Sequence, residues 1–210
     1  MQLRFAAKVT SEEYIRQQAW REAMLECCPL HPQGGCGVRS HGSYRRKQPD
    51  GLRIPRFYCR QGQTTISLLP DFAAARVSGT LADVERAVEQ AEVARTLASA
   101  ARDLRPELND ERSAVRWLRR LVRAVHSALT ALVTSLPELF GTAPRIAAVR
   151  ERLGTKATGR GVLTRLRALG ERMLSQLRAP LGFFRPRRGG SDDESELQHR
   201  MGPDPGGGGR

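Results

Sequence analysis

Aromatic residues make up only 5% of this chain, and lysine is nearly missing: Lys8, Lys47 and Lys156 are the only ones. A core short of aromatics is filled by Ala, Leu and Val, which suits packed helices better than an extensive sheet. With 210 residues there is room for one or two small domains plus tails, which excludes a large enzyme fold. Long apolar runs are lacking too. The longest candidate span, Leu121–Phe140, is broken by Arg123, His126 and Pro137, and Met1–Ser11 has no apolar segment of the kind a secretory leader needs. These absences predict a soluble, cytoplasmic protein. In a reducing compartment, four cysteines confined to Cys27–Cys59 point to free thiols or metal ligands, not disulfides.

What the chain has in excess is arginine. The formal net charge is +13 and the sequence pI about 11.0. Solubility alone does not need so large an excess, and such a charge attracts polyanions, nucleic acid first and anionic membrane second. The guanidinium fork fits phosphate and guanine edges. Arg, Ala, Gly and Pro share GC-rich codons, so genome composition accounts for arginine over lysine but not for the net charge.

Four stretches differ in character. Residues 1–26 form an N-terminal extension, partly helical through Ser11–Leu25, where Ser11 is followed by Glu12 and Glu13. Residues 27–70 hold every cysteine. There, Gly42–Arg46 and Leu52–Cys59 read as strands around the turn Gln48-Pro49-Asp50-Gly51, with a third strand at Thr64–Leu68. Residues 71–180 read as successive helices: Leu81–Ala94 opened by Ser78 or Thr80, Thr96–Leu104, Ser113–Leu136, Pro144–Leu153 and Val162–Leu177. Residues 181–210 run through Pro/Arg, an acidic Ser191–Glu196 patch and a Gly-rich end, and are expected to be disordered. The predicted fold class is α+β: a small ribbon-like β-hairpin module followed by a mainly α-helical bundle.

The cysteines suggest a metal. Cys28-Pro-Leu-His31 is a C-x2-H knuckle, Cys36-Gly follows, and Cys59 closes the hairpin. Zinc takes four such ligands tetrahedrally, and a module with little core gains its fold from the ion. The most economical set is Cys28, His31, Cys36 and Cys59, with Cys27 and His41 as competitors. Unmetallated thiols packed as small apolar groups are the other reading. Thiol catalysis is disfavoured because no Cys-x2-Cys pair is present.

Two sets of cations are candidates for contact with nucleic acid. On the hairpin, Arg45, Arg46, Lys47 and Arg56 alternate with Tyr44, Phe57 and Tyr58, a pattern that grips phosphates and stacks on bases, though Phe57 also suits the small core. In the helical part, the segment 96–136 has the outline of a helix-turn-helix. Its second helix carries Arg112, Arg116, Arg119, Arg120 and Arg123, with Trp117 expected to pack beneath the row. The eight-residue break, Arg105–Arg112, is longer than the tight turn typical of that motif. A solvated arginine face on a bundle helix is the plainer reading of the same residues. A further basic stretch, Arg145–Arg178, suits packing on the long helix, RNA or an acidic membrane.

The run from Cys28 to Pro70 resembles the zinc-ribbon opening of bacterial insertion-sequence transposases and related proteins. The matching residues are Cys28-Pro-x-His31, Cys36-Gly37, His41-Gly-x-Tyr44-x-Arg46, Arg56-x-Tyr58-Cys59 and Thr64-x-x-Ser67-Leu-Leu-Pro70. That family has a second knuckle after Cys59 and an aromatic in the last strand, where this chain has Gly62, Gln63 and Ile66. The resemblance implies DNA recognition. The catalytic domain that follows in those enzymes, an acid-bearing sheet, has no counterpart here, because the acids after Leu69 fall in helices or a loop. The expectation is a non-catalytic DNA-binding protein with zinc as cofactor and RNA as a further possible partner, and without a small-molecule substrate. The alternative is a helical interaction protein whose basic face docks an acidic partner or an anionic membrane.

Overall fold

The computed structural model describes residues 1–107, 110–154, 161–171 and 176–183. Its fold class is α+β, as the sequence predicts. A four-stranded sheet is built from β1 (Gln2–Phe5), β2 (Arg39–Arg45), β3 (Arg53–Cys59) and β4 (Thr64–Pro70), in the order β1-β4-β3-β2. Antiparallel β2 and β3 meet at the turn read from Pro49-Asp50-Gly51. The Leu52 amide donates to the Pro49 carbonyl at 3.2 Å, and Gly51 takes φ +77° where its missing side chain leaves room for Ile15. The period-two pattern of β3 puts Phe57 on the same face as Ile66 and Leu68 of β4, packed with the cysteines.

The N-terminal stretch departs from expectation. Residues 2–5 are not an extension but a strand, parallel to β4, with Gln2 opposite Ser67 and Phe5 opposite Pro70. Helix α1 begins at Ser11 as read but stops at Arg16, not Leu25. Thr10 and Glu13 form a reciprocal capping box at its start. Gln18 then adopts φ +53°, and a short 3-10 turn at Ala19–Arg21 carries the chain to the cysteines.

The helical region comprises α2 (Leu81–Val93), α3 (Leu97–Leu104), α4 (Glu111–Ser135), α5 (Pro137–Phe140), α6 (Ile146–Leu153) and α7 (Val162–Leu169). Thr80 caps α2 through a capping box with Asp83, and Thr96 caps α3. The i, i+3, i+4 row of α4 is buried at Leu118, Leu121, Val125, Leu129 and Leu132. Each buried leucine contributes about 1.5–3 kcal/mol, so these helices have an apolar core of their own. Among the described residues no helix is long and apolar enough to cross a membrane.

Two buried charges fasten the parts together. Arg167 on α7 is fully buried, and its guanidinium donates to carbonyls on both sides of the junction, including Leu181 at 3.0 Å and Asp71 at 3.1 Å, with Ala73 and Pro180 also accepting. Burial pushes its pKa down to about 9, which still leaves it charged at neutral pH, and the carbonyl dipoles stand in for water. Glu85 on α2 accepts the Val162 and Leu163 amides at 3.0 and 2.9 Å and so caps α7, which has no capping side chain of its own. Leu181 is buried and Phe183 packs on both neighbouring clusters. The start of the expected disordered tail is therefore part of the core, while residues 184–210 lie outside the described residues.

Candidate functional site

Cys28, His31, Cys36 and Cys59 converge. One ligand atom from each lies within 4.8 Å of all the others. Cys28 and His31 sit across a tight turn closed by the His31 amide donating to the Cys28 carbonyl at 3.0 Å. Cys36 is presented by a loop in which Gly35 and Gly37, on either side, both take positive φ. Cys59 ends β3, and the Gly62 amide donates to its sulfur at 3.2 Å.

Gly62 packs against the cluster: a Cβ there would crowd Leu30 Cδ1 at 2.8 Å, while His31 Cε1 would stay at an ordinary contact distance of 3.5 Å. Of the two competing residues, Cys27 is exposed, and His41 lies on the sheet with its ring 5.7 Å from that of Tyr58.

The donor geometry fits a tetrahedral divalent ion. Metal arms of about 2.3 Å to sulfur and 2.1 Å to nitrogen put sulfur and nitrogen about 3.6 Å apart. His31 Nδ1 lies 3.6 Å from the Cys28 sulfur and 3.4 Å from that of Cys59. The thiols are unequal. Burial pushes the Cys28 thiol up, but His31, the Leu30 backbone and the neighbouring thiols outweigh it and bring its pKa down to about 6. For Cys36, burial and the two sulfurs beside it hold the pKa above the ordinary thiol value. A cluster this tight favours one thiolate over three, and a cation at its centre supplies the charge that lets all three ionise. Four protein donors, three of them buried, match the closed arrangement that structural zinc sites use.

The candidate nucleic-acid residues divide into two groups. Arg112, Arg116, Arg119, Arg120 and Arg123 are all exposed on α4. At 100° per residue they fall within an arc of about 100°, and Arg112, Arg116 and Arg119 line a shallow concavity of about 510 Å³. Trp117 is half-buried beside them, with the Arg105 guanidinium 4.5 Å from its ring. The hairpin cations are less uniform. Lys47 is exposed, Arg45 pairs with Asp50, and Arg56 is half-buried with its guanidinium 5.9 Å above the Tyr44 ring. Arg46 departs from its expected role, since both terminal nitrogens donate to the Ala74 and Val77 carbonyls. In the second basic stretch, Arg150 pairs with Glu85 and Glu89 and Arg167 is buried, so both serve the fold. His126 meets Glu92 at 2.8 Å, the boundary position its spacing suggests. No signal in the sequence marked Glu85 or Arg167 as buried anchors, or Arg46 as a half-buried one.

No protein-family model, curated protein or solved structure matches this chain.

Proposed function

We propose that the chain is a non-catalytic DNA-binding protein whose sheet module is stapled by zinc and whose main contact with duplex DNA is the arginine row of α4. The observation that carries this reading is the row itself: five exposed guanidinium groups on one helix face, with no acidic residue between Ser113 and Pro137. A guanidinium row at helical spacing tracks a phosphate backbone, and its forked donors reach base edges if the helix enters the major groove. Exposed Arg45 and Lys47 at the hairpin tip add phosphate contacts. The zinc ion, held by Cys28, His31, Cys36 and Cys59, supplies folding energy in a cytoplasmic setting where thiols stay reduced. The likeness of the Cys28–Pro70 run to the zinc ribbons of insertion-sequence transposases supports the same reading. The buried apolar row of α4 argues against a helix lying on a membrane, which needs that row exposed beside its cations.

The test is binding of a labelled duplex across a salt series. Each neutralised phosphate steepens the plot of log K against log salt by about 0.9, so five contacts predict a slope of about −4 to −5. The pair Arg116→Ala and Arg120→Ala should flatten it by about two. Retained slope in the double variant would move the contact elsewhere, and a flat plot for the wild type would end the electrostatic reading. Preferential binding to anionic vesicles or an acidic protein would transfer the row to the alternative function.

A further inference from the structure

We propose that the open face of the sheet is a second nucleic-acid site, one that takes a single strand by base stacking. It rests on the nucleic-acid reading above, but with other residues and another form of ligand. None of the four strands contains an aspartate or a glutamate; of their arginines, Arg4, Arg39 and Arg56 fall on one face, Arg4 paired with Asp71 and Glu171, and Arg45 and Arg53 fall on the other. The register sorts these strands into two unlike faces. One is apolar at its centre, with Phe57, Ile66 and Leu68 packed over the cysteines, and carries Arg45 and Arg53 at its hairpin end. The other carries a row of Gln2, Ser67 and Arg56 side by side across β1, β4 and β3. In the next row, Thr65, Tyr58 and Arg39 are partners across β4, β3 and β2.

That second face has the parts of a stacking platform. The His41 ring lies against Tyr58, with centroids 5.7 Å apart, and the Arg56 guanidinium sits over Tyr44. Tyr44 pairs with Ile54, two same-face steps along β3 from Tyr58. At about 7 Å per step the two tyrosines stand about 13 Å apart, room for two or three unstacked bases between rings and guanidinium. Tyr58 is half-exposed and His41 and Arg39 are exposed, whereas Tyr44 lies partly buried against the cluster of Tyr14, Ile54 and Leu69. The face closes where Ile54 and Leu69 are buried with Tyr14, which limits the platform to a few nucleotides.

Gln2 Oε1 and Arg56 Nε flank Ser67 beneath this surface and lack a hydrogen-bond partner among the described residues. A duplex cannot use such a surface because its bases are already stacked on one another. Aromatic and cationic side chains on a sheet engage bases that are splayed apart.

The test uses the full chain with zinc and three probes of equal length, labelled (dT)12, (rU)12 and a 12-base-pair duplex, followed by anisotropy. His41→Ala with Tyr58→Ala should weaken single-strand binding by about tenfold or more while duplex affinity stays within about twofold. Tyr58→Phe, which keeps the ring, should restore it. Because Tyr58 is half-buried, Tyr58→Trp gives a readout independent of folding losses: the fluorescence of the new indole is quenched on adding (dT)12 or (rU)12 and not the duplex. The two single strands separate DNA from RNA as the source of the stacked bases. Wild-type binding to duplex alone, or no quenching in the Tyr58→Trp variant, overturns the proposal and leaves the arginine row intact. Failure of all three probes overturns the broader nucleic-acid reading instead.

Discussion

The helical region and the sheet module solve the same problem with different means. Around α4 the interior is leucine, valine, alanine, isoleucine and Phe140 drawn from six helices and the loops beside them, with Glu85 and Arg167 buried at its margins. Around Cys59 the interior is small, and three of its buried members are thiols. An aliphatic core is stable by area removed from water, whereas a few thiols bury too little to hold three irregular loops. The difference teaches where each part is vulnerable: the helices to packing and capping changes, the sheet module to disruption of its Cys3His cluster.

The largest effect expected from that contrast comes from metal removal. Chelation, or Cys59→Ser, should remove folding free energy on the order of 10 kcal/mol from the sheet module. Hydrogen exchange should then be fast in β3 and β4 while α4 keeps its protection. Equal loss in both regions, or none, would break the contrast. Stoichiometric zinc by native mass spectrometry before chelation completes the experiment.

Next comes the junction. Arg167→Met leaves several buried carbonyls without a donor and should cost about 3–5 kcal/mol in urea unfolding. The two regions should then melt in separate steps. A loss under about 1 kcal/mol would mean that the parts are fastened elsewhere.

A smaller effect is expected at the start of α7. A Cβ at Gly161 would stand 2.6 Å from Glu85 Oε2, so Gly161→Ala should cost about 1–3 kcal/mol by overpacking while leaving metal content unchanged. Zinc loss in that variant would show that the regions are coupled more tightly than the contrast allows. The smallest is Thr80→Ala, which removes the side-chain cap of α2 for about 1 kcal/mol, read as a lowered Tm without change in DNA affinity.

Local signals carried much of this fold. Pro49-Asp50-Gly51 announces its turn, the alternation Arg-Ile-Pro-Arg-Phe-Tyr-Cys announces β3, and the leucine spacing of α4 announces a helix. The Cys28, His31, Cys36 and Cys59 cluster was legible as residue types at plausible spacing, with His31 preferred to His41 because it completes a Cys-x2-His knuckle with Cys28. Gln2–Phe5 was read as extension because four residues carry no periodicity, and its partner lies more than sixty residues away. Arg46, Arg150 and Arg167 counted as surface cations because composition does not distinguish a solvated guanidinium from one bound to buried carbonyls or carboxylates.

By itself the sequence determined the hairpin of β2 and β3 with its turn, the helical character of α2, α3 and α4, and the basic, acid-poor character of α4. Each of these depends on residues within a turn or two of one another, where steric preference and side-chain spacing act directly. The tertiary structure alone decided the parallel seat of β1, the polar face of the sheet, and the uses of Arg167 and Glu85. Those contacts join groups 94 and 77 residues apart in the case of Arg167 to Ala73 and Glu85 to Val162. Over such distances a charge finds its partner only through the packing of everything between them.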